Sequence, residues 1–139
     1  MSGKRKNVTI LFFENIHDSQ LVRLYSDAMA TVFVPLMEPL GLVPLESMAC
    51  GTPVIGIREG GVRETVIHGK TGLLVDRDDQ QLADAIMRLL EDKELYARLS
   101  KNCREYILEN WTWEKSIKQL EAHFQKLLAL HSKDMICRR

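Results

Sequence analysis

The sequence has no excess of charge of either sign, and it has few cysteines. Nineteen lysines and arginines balance nineteen aspartates and glutamates, which gives a formal net charge of zero. A balanced chain has no field that would hold nucleic acid or an anionic lipid surface, so the sequence predicts no nucleic-acid partner. The three cysteines form no C-x-x-C pair. Their odd number and wide spacing argue against a disulfide framework and favour a reducing cytoplasm.

Long hydrophobic runs are lacking as well. The most apolar window, residues 30–45, contains Glu38 and three prolines. It falls short of the roughly 18 clean apolar residues that a membrane span needs. The basic N-terminus leads into an apolar run that ends at Glu14, and such a run is too short for a secretory signal.

The length and composition are typical of one globular domain, with 139 residues of which 45% are apolar and 27% charged. Short apolar runs predict four buried strands, at residues 8–13, 30–35, 53–57 and 72–75. Apolar residues at helical spacing predict a helix capped by Asp18 or Ser19, a helix over residues 43–50, a short helix ended by Gly69, and three helices over residues 79–91, 93–109 and 112–130.

The alternation of strands and helices predicts the fold class. It is typical of an α/β protein with a Rossmann-like parallel sheet of about four strands and helices on both faces. Residues 8–76 form the predicted strand–helix core, and residues 79–131 form a helical C-terminal extension. Ligands of such sheets bind at the carboxyl ends of the strands, which points to the loop after Pro35 and the loop after Ile57.

Two carboxylates bracket the first of these loops. Glu38 lies in the loop, and Glu46 follows after seven intervening residues, in the first turns of the next helix. The backbone amides at a helix start and the positive end of the helix dipole can hold an anion. A carboxylate can accept hydrogen bonds from neighbouring sugar hydroxyls. An anion site beside a polyol site suits a nucleotide sugar.

Three linked segments, EPLGLVPLESMACGTPVI, GGVRETV and GKTGLLV, resemble the C-terminal, donor-binding lobe of retaining glycosyltransferases of the GT-B fold, family four (group 1). The resemblance covers residues 8–113. It implies an enzyme of hexosyltransferase type, acting in polysaccharide biosynthesis, that transfers a hexose from a UDP-, GDP- or ADP-sugar to a glycan or lipid-linked acceptor. It implies no metal and no other cofactor, and a cytoplasmic location, with peripheral attachment to the inner membrane face as one variant.

The resemblance also implies residue roles. Glu38 corresponds to the catalytic glutamate that contacts the transferred sugar, and Glu46 to the residue that binds the ribose. The predicted nucleotide-sugar-binding set is Glu38, Pro39, Leu40, Gly41, Leu42, Val43 and Glu46. A negative carboxylate near an oxocarbenium-like centre stabilises the charge that develops there. Gly60 and Gly61, in the segment GGVRETV, correspond to a tight turn.

The sequence departs from the family pattern at a few positions. Leu40 replaces the usual phenylalanine, Ser47 the usual alanine and Leu36 the usual serine. The family's glycine after the first strand is also missing near Glu14 or Asn15.

The resemblance predicts that the chain is a partial lobe, because the family's N-terminal acceptor domain and two further strands do not precede Met1. Two function classes follow. In one, the chain is a glycosyltransferase that acts with a separately encoded N-terminal lobe. In the other, it is an inactive remnant or a nucleotide-sugar-binding protein without catalysis. The missing strands also predict an exposed sheet edge at residues 8–13 and 30–35, through which two chains could associate.

Other interpretations of these segments are weaker. A glycosidase carboxylate pair would flank the scissile bond, which one short loop and helix does not favour. The run Gly69, Lys70 and Thr71 lacks the earlier glycine of a P-loop, since Glu64 stands there. Core packing is the favoured role for an apolar stripe on the last helix, formed by Trp113, Ile117, Leu120, Phe124 and Leu127.

Overall fold

The computed structural model describes residues 9–136, with side chains to residue 130. The elements in chain order are α1 (Asp18–Asp27), β1 (Thr31–Phe33), α2 (Leu42–Ala49), β2 (Val54–Ile57), α3 (Val62–Thr65), β3 (Gly72–Val75), α4 (Asp79–Glu91), α5 (Lys93–Asn110) and α6 (Trp113–Ile136). The predicted alternation of strands and helices is confirmed.

The three strands form a parallel sheet in the order β1-β2-β3. Val32 lies opposite Ile55, and Ile55 lies opposite Leu73 in the register. Both β2 and β3 are buried along their whole length. Because all three strands run the same way, their carboxyl ends meet at one edge of the sheet, where the β1–α2, β2–α3 and β3–α4 loops begin.

The described residues form three strands, where the sequence predicts about four. Residues 9–13 form no strand, and Ile10, Leu11, Phe12 and Phe13 are each more than half exposed. Val8 lies outside the described residues. A strand needs a neighbour to satisfy its backbone groups, and within residues 9–136 the strand β1 pairs with β2 alone. The apolar run therefore has no described strand to pair with.

Two apolar clusters cover the two faces of the sheet, as the fold class predicts. On one face, Ile55 and Leu73 pack with Leu89 of α4 and Leu99 of α5. On the other face, the neighbouring residues of the same strands pack against α2, α3 and the second half of α5; this cluster comprises Met48, Val54, Val62, Val66, Leu74, Cys103 and Ile107. The alternation of side chains along β2 and β3 divides the core in this way.

Helix ends follow their capping residues. Asp78 accepts a hydrogen bond from the amide of Gln81 at the start of α4, and Asp92 accepts one from Leu95 at the start of α5. The sequence predicts Asp18 or Ser19 as the cap of α1, but His17 is the cap and Asp18 is the first helical residue. The short helix α3 ends at Thr65, four residues before Gly69, which instead takes a left-handed conformation in the turn before β3.

The apolar stripe on α6 is not core, in contrast to the prediction. Trp113 is 83% exposed, and the other four residues of the stripe are between 52% and 61% exposed. The helical spacing was right, but spacing alone does not supply a packing partner. No helix of the described chain is long and apolar enough to cross a bilayer.

Candidate donor site in the loop after the first strand

The loop between β1 and α2, residues 34–41, is held through Glu38. The carbonyl oxygen of Glu38 accepts a hydrogen bond from the Gly61 amide at 2.8 Å. Its carboxylate oxygen Oε1 accepts one from the Gly41 amide at 3.2 Å. Glu38 is thus half-buried between the β2–α3 loop and the start of α2. The Gly61 contact fixes its backbone, and the Gly41 contact orients its carboxylate.

Two glycines of the β2–α3 loop allow this approach. A Cβ on Gly60 would lie 2.4 Å from the carbonyl oxygen of Glu38, and a Cβ on Gly61 would lie 2.2 Å from that of Pro39. Neither contact is sterically tolerable, and both involve backbone atoms. Glycine at both positions is therefore needed for the backbone of the β1–α2 loop to pack against the β2–α3 loop.

The start of α2 presents backbone amides beside Glu38. Gly41 is the N-cap residue with φ +82°, and Leu42 and Val43 are the first two helical residues. No carbonyl of the same helix can accept hydrogen bonds from the amides at these two positions. The Gly41 amide is engaged by Glu38, so it is Leu42 and Val43 that offer amides at the positive end of the helix. Pro39 and Leu40 are exposed just before them.

Glu46 lies one turn further along α2 and is exposed. Its Oε2 accepts a hydrogen bond from the hydroxyl of Tyr25 at 3.2 Å. Burial of Tyr25, followed by the charge of Glu46 and their hydrogen bond, raises the pKa of the tyrosine to about 12. The pair stands in a cleft of about 340 Å³ between α1 and α2, lined also by Asp18, Leu21, Val22, Ala49 and Cys50.

The structure thus gives Glu38 and Glu46 different surroundings. Glu38 is tied to backbone amides of the loop and the helix start, whereas Glu46 opens onto a cleft that combines carboxylate and hydroxyl groups with an apolar wall. A carboxylate and a hydroxyl side by side suit a diol, and free amides at a helix start suit a phosphate.

Two departures from the family pattern have local explanations. Ser47 is fully buried, and its Oγ lies 2.8 Å from Thr31 Oγ1 and 3.0 Å from the carbonyl oxygen of Thr52, so the extra hydroxyl has partners. Asn15, one of the two residues near which the family's glycine was expected, has φ +52°. Asparagine tolerates this left-handed conformation better than most residues.

An arginine was missed by the sequence interpretation. Arg77, two residues after β3, forms an ion pair with Glu59 and donates a hydrogen bond to the carbonyl oxygen of Pro35 in the β1–α2 loop. The aspartate-rich stretch after β3 resembles an ordinary helix start in sequence, and only the fold brings Arg77 to a residue 42 positions earlier.

Several other polar side chains lie outside the β1–α2 loop. The ring nitrogen Nδ1 of His68 accepts a hydrogen bond from the Leu74 amide at 2.9 Å, and Glu64 is exposed on α3. Within residues 9–136 no group of three His, Cys, Asp or Glu side chains is arranged to hold a metal ion. The early basic residues Lys4, Arg5 and Lys6 lie outside the described residues.

Comparison with known proteins decides the family. The model of the glycosyl transferases group 1 family matches residues 2–106. The chain belongs to this family. The match covers the whole strand–helix core and most of α5.

Two curated relatives are similar to most of this chain. The chain is 41% identical over 127 residues to the N-acetyl-alpha-D-glucosaminyl L-malate synthase of Bacillus anthracis, covering 91% of this chain and 30% of that protein. It is 37% identical over 109 residues to the D-inositol 3-phosphate glycosyltransferase of Corynebacterium urealyticum, covering 78% of this chain and 26% of that protein. The chain therefore spans less than a third of the length of these relatives.

Solved structures agree on the fold. The sucrose-phosphate synthase of Thermosynechococcus elongatus superposes with a TM-score of 0.75 at 41% identity, over 86% of this chain and 30% of that one. HepE of Anabaena in complex with UDP superposes with a TM-score of 0.67 at 26% identity, over 75% of this chain and 29% of that one. The predicted α/β fold, similar to that of GT-B glycosyltransferases, is confirmed.

Proposed function

We propose that the chain is the donor-binding lobe of a retaining glycosyltransferase that uses a nucleotide-diphospho-sugar. The observation that carries this proposal is the arrangement of residues 38–46, in which Glu38 is fixed by the Gly41 and Gly61 amides directly before the free helix start of α2. The arrangement provides one carboxylate near the amides and a second, Glu46, one turn away beside a cleft.

We place the protein in the cytoplasm because its described cysteines, Cys50 and Cys103, are both free thiols.

The donor phosphates bind at the start of α2. The amides of Leu42 and Val43 and the positive end of the helix favour the diphosphate. Pro39 and Leu40 are exposed and lie just before this helix start, where we place the sugar hydroxyls. The carboxylate of Glu46 accepts hydrogen bonds from the ribose diol, for which it exchanges or shares the Tyr25 hydroxyl. This mode of binding uses no metal ion.

Glu38 acts on the transferred sugar. A carboxylate held close to the sugar carbon stabilises the positive charge that develops as the leaving diphosphate departs, and a fixed carboxylate does so without reorganisation. The Gly41 amide donates to this carboxylate, and the Gly61 amide holds the backbone carbonyl of the same residue. The charge of the leaving diphosphate is taken up at the helix start.

Transfer to a glycan or lipid-linked acceptor requires a second wall that holds the acceptor against the donor carbon. We propose that an N-terminal lobe of the kind that the family resemblance implies supplies it. HepE has been solved with UDP and with UDP-glucose, so UDP is the first nucleotide to test on this chain. GDP and ADP are the alternatives that the family resemblance allows.

Titration of the chain with UDP, GDP and ADP, monitored by backbone amide shifts, tests donor binding. We expect shifts at Leu42, Val43 and Glu46 and a Kd around millimolar, worth about 4 kcal/mol. Glu46→Ala should weaken binding, whereas Glu91→Ala, a substitution of an exposed glutamate at the far end of α4, serves as the control. Shifts clustered around Lys70, or no binding of any nucleotide, would refute the placement.

A transfer assay distinguishes the two function classes. A nucleotide-sugar panel is incubated with the chain in the presence and absence of the product of any adjacent gene for an acceptor lobe. Transfer only with the second lobe supports the enzyme. Binding without transfer in both cases supports a nucleotide-sugar-binding protein without catalysis and overturns the catalytic role of Glu38.

A further inference from the structure

The carboxyl ends of all three strands are joined by one side chain. Pro35, Glu59 and Arg77 each lie two residues beyond the end of their strand, β1, β2 and β3 respectively. Arg77 Nη2 donates to the carbonyl oxygen of Pro35 at 2.6 Å and to Glu59 Oε2 at 2.8 Å. Arg77 Nε donates to Glu59 Oε1 at 3.2 Å. The pair is bidentate, and the second N–H of Nη2 serves the β1–α2 loop.

This contact is the first of two anchors on the β1–α2 loop. Arg77 holds Pro35, and the Gly61 amide holds the carbonyl oxygen of Glu38 three residues later. Between the anchors, Leu36 and Met37 are 78% and 72% exposed, and Met37 has φ +53°. A left-handed conformation at a methionine costs of order 1 kcal/mol or more. The conformation of residues 36 and 37 is therefore stabilised by the two anchors and not by packing of their own side chains.

Glu59 links the two anchors. It pairs with Arg77 through its side chain and leads directly into Gly60 and Gly61, which seat Glu38 and Pro39. A change in the Glu59–Arg77 pair therefore acts on both ends of the exposed segment. The hydrogen bond from Arg77 lowers the pKa of the Glu59 carboxyl below its usual range.

We propose that Arg77, oriented by Glu59, is a positioning residue that sets the course of the β1–α2 loop and thereby the position of Glu38 for the donor. Neither side chain has to touch the donor. This inference rests on the proposed function for its effect on donor binding, but its effect on the loop stands on the contacts alone. It adds two residues from outside the two-glutamate segment to the determinants of the site.

The chain contains a matched arginine for comparison. Arg58 also follows a strand at this edge, lies 3.6 Å from Asp76 in an ion pair and donates to the carbonyl oxygen of Leu74. These two partners belong to β3 and the residue after it, and neither belongs to the β1–α2 loop. Arg58 and Arg77 are similarly exposed, with 48% and 43% of their side chains accessible.

The experiment compares Arg77→Gln, Arg58→Gln and Arg77→Lys in the whole chain. Amide hydrogen exchange at Gly61 and UDP affinity are measured together with the thermal midpoint. Arg77→Gln should speed exchange at Gly61 and weaken UDP binding by about tenfold each, the effect of losing one charge-assisted hydrogen bond. Arg77→Lys, which keeps a donor to Pro35, should restore much of both. Arg58→Gln should lower the thermal midpoint as much as Arg77→Gln and change neither local readout.

Each outcome has a defined meaning. Equal loss of UDP affinity in Arg58→Gln and Arg77→Gln would overturn the proposal, because affinity would then follow general stability. Unchanged Gly61 exchange in Arg77→Gln would also overturn it. If the unmodified chain binds UDP, GDP and ADP in no measurable amount, the proposed function fails, while the exchange result still decides whether Arg77 positions the loop.

Discussion

The substitution Gly61→Ala isolates the seating of the β1–α2 loop from other effects. Gly61 has φ −70° and ψ −14°, a helical conformation that alanine adopts without strain. The added Cβ, however, would lie 2.2 Å from the carbonyl oxygen of Pro39 and 2.6 Å from the Cα of Leu40. Since both are backbone atoms, no side-chain rotation relieves the contact.

The size of the effect follows from this geometry. The loop or α3 must move by at least 0.8 Å to bring the Cβ to the 3.0 Å that real contacts respect. Such overpacking typically costs about 1–3 kcal/mol of unfolding free energy. The shift also lengthens the 2.8 Å hydrogen bond between the Gly61 amide and Glu38. We therefore expect a loss of stability together with about tenfold weaker nucleotide binding.

Urea unfolding and UDP titration measure the two effects, and Gly69→Ala is the control. Gly69 has φ +75°, and a Cβ added there would meet nothing within 4 Å, so alanine at this position is strained without a clash. Its cost is about 1–2 kcal/mol, similar to that of Gly61→Ala, but it lies away from the loop. Wild-type stability and affinity in Gly61→Ala would refute the reasoning. Equal affinity losses in the two variants would show that binding follows global stability.

The remaining predictions concern charges, thiols and surfaces. Glu46→Ala should weaken nucleotide binding by about 1.5–3 kcal/mol, whereas Glu38→Ala in an active assembly should lower turnover more than affinity; equal effects on affinity in both variants would contradict the division of roles. Chelator should leave UDP affinity unchanged, which calorimetry with and without EDTA measures. Burial raises the pKa of Cys103 to about 12, so between about pH 9 and 12 the thiol keeps its proton in the folded chain and loses it in the unfolded chain. The free energy of unfolding should therefore fall as the pH rises through this range, and Cys103→Ala should flatten that slope. Light scattering should detect association through the edge of β1 that no described strand covers, and Val32→Lys should suppress it.

The sequence predicted those parts of the fold whose determinants are local. The helices α4 and α5 begin where Asp78 and Asp92 cap them. Gly51, just after α2, has the left-handed φ of +81° that is typical of a helix end. The strands β2 and β3 were found because both faces of each are buried, which produces continuous apolar runs. These signals are contained within a few residues.

The failures concern features that depend on distant partners. Residues 9–13 have the composition of a strand but no described neighbour to pair with. The stripe on α6 has helical spacing, yet the described core does not reach it. Similarly, Glu38 and Glu46 could be found by their spacing, but Tyr25 and Arg77 could not, because their contacts to residues 46 and 35 are made only in the folded chain.

These contacts explain why the three sequence segments occur together. The segment with Glu38 forms the loop after β1, the segment with Gly61 supplies the seat for that loop, and the residues after β3 supply Arg77, which holds its beginning. The parallel sheet places the carboxyl ends of the three strands side by side, so segments far apart in sequence reach a single loop. A two-glutamate spacing without the other segments would lack both anchors, and its exposed residues 36 and 37 would be free to take other courses. The three segments together therefore identify this site better than the glutamate pair alone, because the loops after three strands must all be present to hold the Glu38 carboxylate in place.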